Sequence, residues 1–171
     1  MLELAYLGLR VGEILRLKIA DVELKEDRLT ILNSKCNKDR MIPMTHMARY
    51  WVGRWTSRRS QFVRKQGDPG TLFLSCWGKP LRQSNFYTIL RAYAKQAGIQ
   101  TPVNPHLIRA VTATHLAQNG APVRLLQAFL GHSHVNTTGR YIRLSHEHVE
   151  KKYKEFHPSS RRAFHAPVDA G

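Results

Sequence analysis

Between Asp21 and Pro43 the chain carries three short extended segments, while the rest of it is patterned largely at helical spacing. The extended segments run from Asp21 to Leu24, Arg28 to Leu32 and Asp39 to Pro43, separated by Lys25-Glu26-Asp27 and by the polar turn Asn33 to Lys38. Connections this short suit antiparallel pairing, since a parallel crossover needs a dozen residues or more. The pattern predicts a mainly helical α+β domain with one small antiparallel sheet and Lys35 at a hairpin tip.

Around that sheet the helices are read from their stripes. Gly8 to Lys18, with Val11, Ile14, Leu15 and Leu17, is predicted as a short helix bearing Arg10 and Glu13 one turn apart. Thr45 caps a long helix whose apolar side is Ala48, Trp51, Val52, Trp55 and Phe62, with Arg49, Arg54, Arg58 and Arg64 largely elsewhere. A helix from Ser84 carries Ile89, Leu90, Tyr93, Ala94 and Ala97 and stops at Gly98. Asn104 and Pro105 suit the cap and first residue of a helix on which His106 and Arg109 share a face. Leu107, Ala110, Val111 and Thr114 are expected on the core side. Pro122 opens the next helix, with Leu126, Phe129 and Leu130 buried and Gly131 ending it before His132. A short turn or helix from Asn136 carries Tyr141. Ser145 caps a last helix with Val149, Tyr153 and Phe156 on its apolar side. Residues 1–157 are expected to form one domain, and 158–171, where periodicity ends, a flexible or docking tail.

Composition narrows the partner. Of 171 residues, 27 are Lys or Arg and 12 Asp or Glu, a net charge of +15, so a polyanion is the first partner to consider: DNA, RNA or an acidic membrane. No apolar run reaches the ~20 residues of a membrane helix and the first residues are not patterned as a signal sequence, so a soluble, cytoplasmic protein is expected. Cys36 and Cys76 are in no paired spacing, which argues against a disulfide framework or a thiolate metal site. His132 and His134, and His146 and His148, alternate without a cysteine or carboxylate cluster to complete a tetrahedral zinc set. These last three, with His115 and His165, are read as structural or exposed. Met1 to Leu7 is apolar and helical and leads into Gly8-Leu9-Arg10 without a capping signal, so a truncated start is expected.

Several motifs, in order, resemble the tyrosine recombinases, also called phage integrases. Gly8-Leu9-Arg10-Val11-Gly12-Glu13 is similar to the first arginine motif, and Ser34-Lys35-Cys36-Asn37-Lys38-Asp39-Arg40 to the lysine-bearing β-hairpin. His106-Leu107-Ile108-Arg109, followed by Ala113-Thr114-His115-Leu116 and Gly120, resembles the histidine and second arginine motif. Leu130-Gly131-His132-Ser133 is similar to the second histidine motif, and Asn136-Thr137-Thr138-Gly139-Arg140-Tyr141 to the segment carrying the nucleophile.

That resemblance implies phosphodiester transfer on double-stranded DNA through a 3′-phosphotyrosyl link at Tyr141, without metal, ATP or other cofactor, by a homotetramer on two duplexes, a monomer being the alternative for the domain in isolation. The residue types suit the chemistry. Negative charge builds on the non-bridging oxygens of a trigonal-bipyramidal phosphorus, where the permanently charged forks of Arg10 and Arg109 stabilise it. A phenol with pKa near ~10 both attacks and leaves acceptably. His106 is assigned as the acceptor of its proton, Lys35, in preference to Lys38, as the acid for the 5′ oxygen, and His132 as a donor to the phosphate. Glu13 is a candidate to hold Arg10, an ordinary surface contact being the alternative. Three positions depart from the pattern: Cys36 where glycine is frequent, Ala110 where a histidine often follows the arginine, and Gly139 just before the nucleophile. Relatives carry an additional N-terminal domain that clamps DNA, whereas here about seven residues precede the arginine motif, so weak, salt-dependent, mostly backbone-directed binding is expected. A non-catalytic DNA-binding remnant of an integrase, and a type IB topoisomerase, stand as alternatives.

Overall fold

Helix α1 (Leu2–Tyr6) is the element the rest of the core gathers round, since Leu4 and Ala5 on it and Leu7 just after it are all buried. The computed structural model describes residues 1–32, 39–122 and 153–161. Past α1 the chain reverses at Gly8, whose φ of 89° lies in the left-handed region that glycine reaches without a Cβ clash. That reversal is why helix α2 (Val11–Arg16) starts three residues later than the apolar pattern predicts, with Arg10 extended at its N-cap, φ −75° and ψ 148°.

The sheet has the predicted character. Strands β1 (Val22–Glu23), β2 (Arg28–Ile31) and β3 (Arg40–Pro43) pair antiparallel in the order β1-β2-β3. In the β2–β3 ladder Leu29 faces Ile42 and Ile31 faces Arg40. Alternation turns Leu29, Ile31 and Ile42 into the core and leaves Met41 40% exposed. Arg40, two residues before Ile42, is therefore on the inward register of its strand.

Helix α3 (His46–Arg58) starts as predicted: the Thr45 Oγ1 accepts the Ala48 N–H at 3.3 Å. Ala48 and Val52 are buried and the Trp55 indole donates to the Leu72 carbonyl at 2.7 Å. Trp51, expected on this stripe, instead stays outside, with the Arg54 guanidinium 5.8 Å from its ring centre. A 3-10 turn over Arg59–Phe62 then buries Arg59, which donates to the Thr71 and Leu72 carbonyls and grips both Asp68 oxygens at 2.6 Å. This fork, helped by the Gly70 N–H, holds the Asp68 carboxyl down at about 2.

Helix α4 (Gln83–Gln96) buries Phe86, Leu90 and Ala94, an i, i+4, i+8 line that leaves Tyr93 exposed rather than in the stripe. Helix α5 (Pro105–Gln118) is capped by the Asn104 Oδ1, which accepts the Leu107 N–H at 2.9 Å. Its core line is Ile108, Thr112 and Leu116. The expected line is the other one: Leu107 and Val111 are exposed, as are Ala110 and Thr114. The reason is that Thr112 is anchored inward, its hydroxyl bonding the Tyr6 carbonyl at 3.0 Å and the Ile108 carbonyl at 2.9 Å.

Residues 153–156 are helical, and Tyr153 is fully buried with its hydroxyl donating to the Leu7 carbonyl at 2.9 Å. His157 follows, donating to the Tyr6 carbonyl from Nε2 at 3.0 Å, and a last turn α6 (Pro158–Arg161) packs on α3. The tail expected to lack periodicity thus begins with a helical turn. The helix predicted from Pro122 and the cap at Ser145 lie outside the described residues. Among the described residues no helix is long and apolar enough to cross a membrane.

Candidate active site

The start of α2 and the first turn of α5 bring Arg10, His106 and Arg109 together at one small cavity. Its walls also include Gly12 of α2 and Gln83 and Tyr87 of α4, around a volume of about 160 Å³. Tyr87 is shared with a larger cleft of about 590 Å³ that carries Arg91 and Lys95. Arg10 and Arg109, ninety-nine residues apart in sequence, are thus held on one spot by two helix starts, where backbone geometry is fixed by the Arg10 N-cap and by Asn104-Pro105.

Each guanidinium is held from behind. Glu13, nearly buried at the third position of α2, accepts the Arg10 backbone N–H at 2.7 Å and its Nη1 at 3.2 Å. The same carboxylate accepts Arg40 Nη2 of β3 at 2.9 Å. Burial works to raise the Glu13 carboxyl, but the Arg10 N–H and the charges of Arg40 and Arg10 outweigh it, so its pKa is lowered. Arg109 donates from Nη1 to the Gly8 carbonyl, the turn that directs Arg10. Its Nη2 is buried and has no hydrogen-bond partner among the described residues.

Electrostatics bear the mark of this crowding. Burial first, then repulsion from Arg10, pulls the Arg109 guanidinium down to about 10, with Arg40 adding to the repulsion and Glu13 opposing it. A desolvated cation beside another cation, with a buried donor unmatched, is stabilised by an anion entering the cavity. The arrangement can therefore bind a phosphate-sized anion by a charge-assisted fork and stabilise negative charge that grows on it.

Three of the six sequence-predicted residues are brought together here, and Lys35, His132 and Tyr141 lie outside the described residues, as do Lys38, Cys36 and Gly139. Glu13 takes the holding role rather than an ordinary surface contact. Arg40 is what sequence reasoning missed, although a cation on the inward register of a strand, two before Ile42, is the signal that marks it. His115, read as structural, bonds the Tyr6 hydroxyl through Nδ1 at 2.7 Å, away from the cavity. No group of three metal-ligating side chains occurs among the described residues.

Comparison with known proteins agrees with this frame. Residues 1–148 match the model of the phage integrase family. The chain is 33% identical over 159 residues to a tyrosine recombinase XerD of Ralstonia nicotianae, covering 92% of this chain and 52% of that protein. It is 35% identical to the XerD of Staphylococcus epidermidis, covering 92% and 54%. It spans about half the length of these curated relatives. Among solved structures, XerA recombinase superposes with a TM-score of 0.70 at 32% identity, over 94% of this chain and 56% of that one. XerH recombinase bound to a palindromic difH substrate, in a post-cleavage complex, gives 0.65 at 28% identity, over 79% and 38%. On that match and these identities, the chain belongs to the phage integrase family, the tyrosine recombinases.

Proposed function

We propose that this chain is the catalytic part of a site-specific DNA recombinase, residues 1–157 forming its catalytic domain. The observation that carries the reading is the buried, unmatched Nη2 of Arg109 at a cavity shared with Arg10 and His106. A scissile phosphate seated there accepts from each guanidinium at a non-bridging oxygen, and both contacts strengthen as the phosphorus becomes trigonal bipyramidal. The Tyr141 Oη attacks phosphorus, its proton passing to His106. The bond to the 5′ oxygen breaks, and Lys35 protonates that oxygen to a free hydroxyl. His132 donates to the phosphate. The product is a 3′-phosphotyrosyl link, and because its energy equals roughly that of the bond broken, rejoining to a partner 5′ hydroxyl needs no ATP. The XerH neighbour bound to its palindromic difH substrate, the +15 charge and the Arg91–Lys95 cleft beside the cavity support duplex DNA as substrate. Recombination requires two duplexes, hence a homotetramer, with the tail 158–171 as its docking segment, acting in the cytoplasm on the nucleoid.

The test is a nicked duplex that loses a short 5′ fragment on cleavage. Wild type is expected to form a denaturant-resistant protein–DNA adduct, and Tyr141→Phe none. An adduct persisting in Tyr141→Phe moves the nucleophile elsewhere. No adduct from wild type at high protein concentration makes the chain a DNA-binding remnant, and supercoil relaxation without strand exchange makes it a topoisomerase.

A further inference from the structure

We propose that Arg40 is a positioning residue of this site: by sharing the Glu13 carboxylate with Arg10, it keeps the cavity's net charge positive and fixes the direction of Arg10. The inference rests on the strand-transfer reading and adds to it a residue outside the six assigned ones.

Glu13 is the hinge of the arrangement. A carboxylate this buried is needed to hold Arg10, through both its backbone N–H and its Nη1. Alone with Arg10 it would form a neutral pair and cancel the charge the reaction uses. Arg40 prevents this. Its side chain is only 17% exposed, and its Nη2 meets Glu13 Oε2 at 2.9 Å while Arg10 Nη1 meets Oε1. With Arg109 included, three guanidiniums and one carboxylate among the described residues leave two positive charges around the cavity. That matches a phosphorane, which carries two negative charges where the ground-state diester carries one. The balance favours the transition state over the bound substrate, which is the condition for raising a rate rather than an affinity.

Geometry adds a second role. Arg40 sits opposite Ile31 at the end of the β2–β3 ladder, so its bond to Glu13 ties the sheet to the start of α2. Two oxygens of one carboxylate, each claimed by a different guanidinium, leave the carboxylate little freedom to rotate. Arg10 then has one direction. Arg40 Nε is buried without a hydrogen-bond partner among the described residues, so the side chain is kept there at some cost in stability, as expected where a charge serves the site rather than the fold.

The test compares two nicked duplexes in single turnover at saturating protein, one with an ordinary scissile phosphodiester and one with a methyl group replacing a non-bridging oxygen. The methylphosphonate lacks the negative charge that Arg40 is inferred to serve. Arg40→Gln is expected to slow adduct formation about tenfold or more on the diester, with a clearly smaller loss on the methylphosphonate and little change in DNA affinity. Arg40→Lys, which keeps the charge, is expected to recover most of the rate. Equal losses on both substrates, or a lysine variant no better than glutamine, overturns the inference, and thermal melting identifies a variant lost to misfolding, for which the lysine arm decides. If wild type forms no adduct, the strand-transfer reading fails and a titration with inorganic phosphate as its dianion, which carries the phosphorane's two negative charges rather than the diester's one, followed at arginine Nε–H by NMR, decides on Arg40. Wild type and Arg40→Lys binding phosphate several-fold more tightly than Arg40→Gln supports it, and equal affinities overturn it.

Discussion

At Arg109 a single side chain joins three features: the Gly8 carbonyl behind it, Arg10 beside it and a buried Nη2 without a partner among the described residues. A lysine there keeps the charge but not the fork, so Arg109→Lys is expected to lower the single-turnover adduct rate by about 10²–10³-fold, with DNA affinity in gel shift nearly unchanged. A loss confined to affinity would make Arg109 a binding group only. Arg59 is the structural counterpart. It is buried, serves two carbonyls and a carboxylate, and pins the 68–72 segment to α3. Arg59→Ala is expected to cost about 2 kcal/mol or more in denaturant unfolding, because those acceptors lose their donor together. A stability within error of wild type would show that water replaces it fully.

Among elements, the C-terminal segment is docked by Tyr153 and His157 on α1, and this docking is expected to depend on pH. Burial, reinforced by His115 and opposed by the Tyr6 carbonyl, lowers the His157 pKa below its usual 6.5. Above that value the ring is neutral folded or unfolded and the docking is intact. As pH falls through 6.5 the unfolded chain takes up a proton that the folded chain resists, so stability is lost from there down to the folded pKa. Melting temperature is therefore expected to fall between pH 7 and pH 5, less steeply in His157→Gln, while an identical slope would place the titration on another group. How far elements were legible in the sequence follows from how local their causes are. The Thr45 cap and the Asn104-Pro105 start are settled by neighbours in sequence, and both appear as read. The inward face of α5 is not, because apolar residues occupy both sides of that helix and only the Thr112 bond to Tyr6 selects one. The α2 start was missed for a similar reason: the Gly8 turn answers to Arg109, a hundred residues away. Arg10, His106 and Arg109, which line one cavity, were legible together because motif resemblance needs no knowledge of packing, whereas Arg40 depends on the β3 register.

For the whole molecule, the proposed function makes the +15 charge and the cleft carrying Arg91 and Lys95 the features that hold DNA. Binding to any duplex is expected to weaken linearly in log–log plots against salt, with a slope of roughly −0.9 for each phosphate neutralised. A salt-independent affinity would remove the phosphate backbone as the main contact. All of this returns to two guanidiniums on one phosphate. The most direct measurement is a crystal structure of the protein with orthovanadate and a duplex broken at the scissile position. Arg10 and Arg109 are both expected within hydrogen-bond distance of the equatorial oxygens of one vanadate, with Tyr141 at an apical position. A vanadate contacted by one of the two arginines alone, or seated away from the α2–α5 cavity, contradicts it.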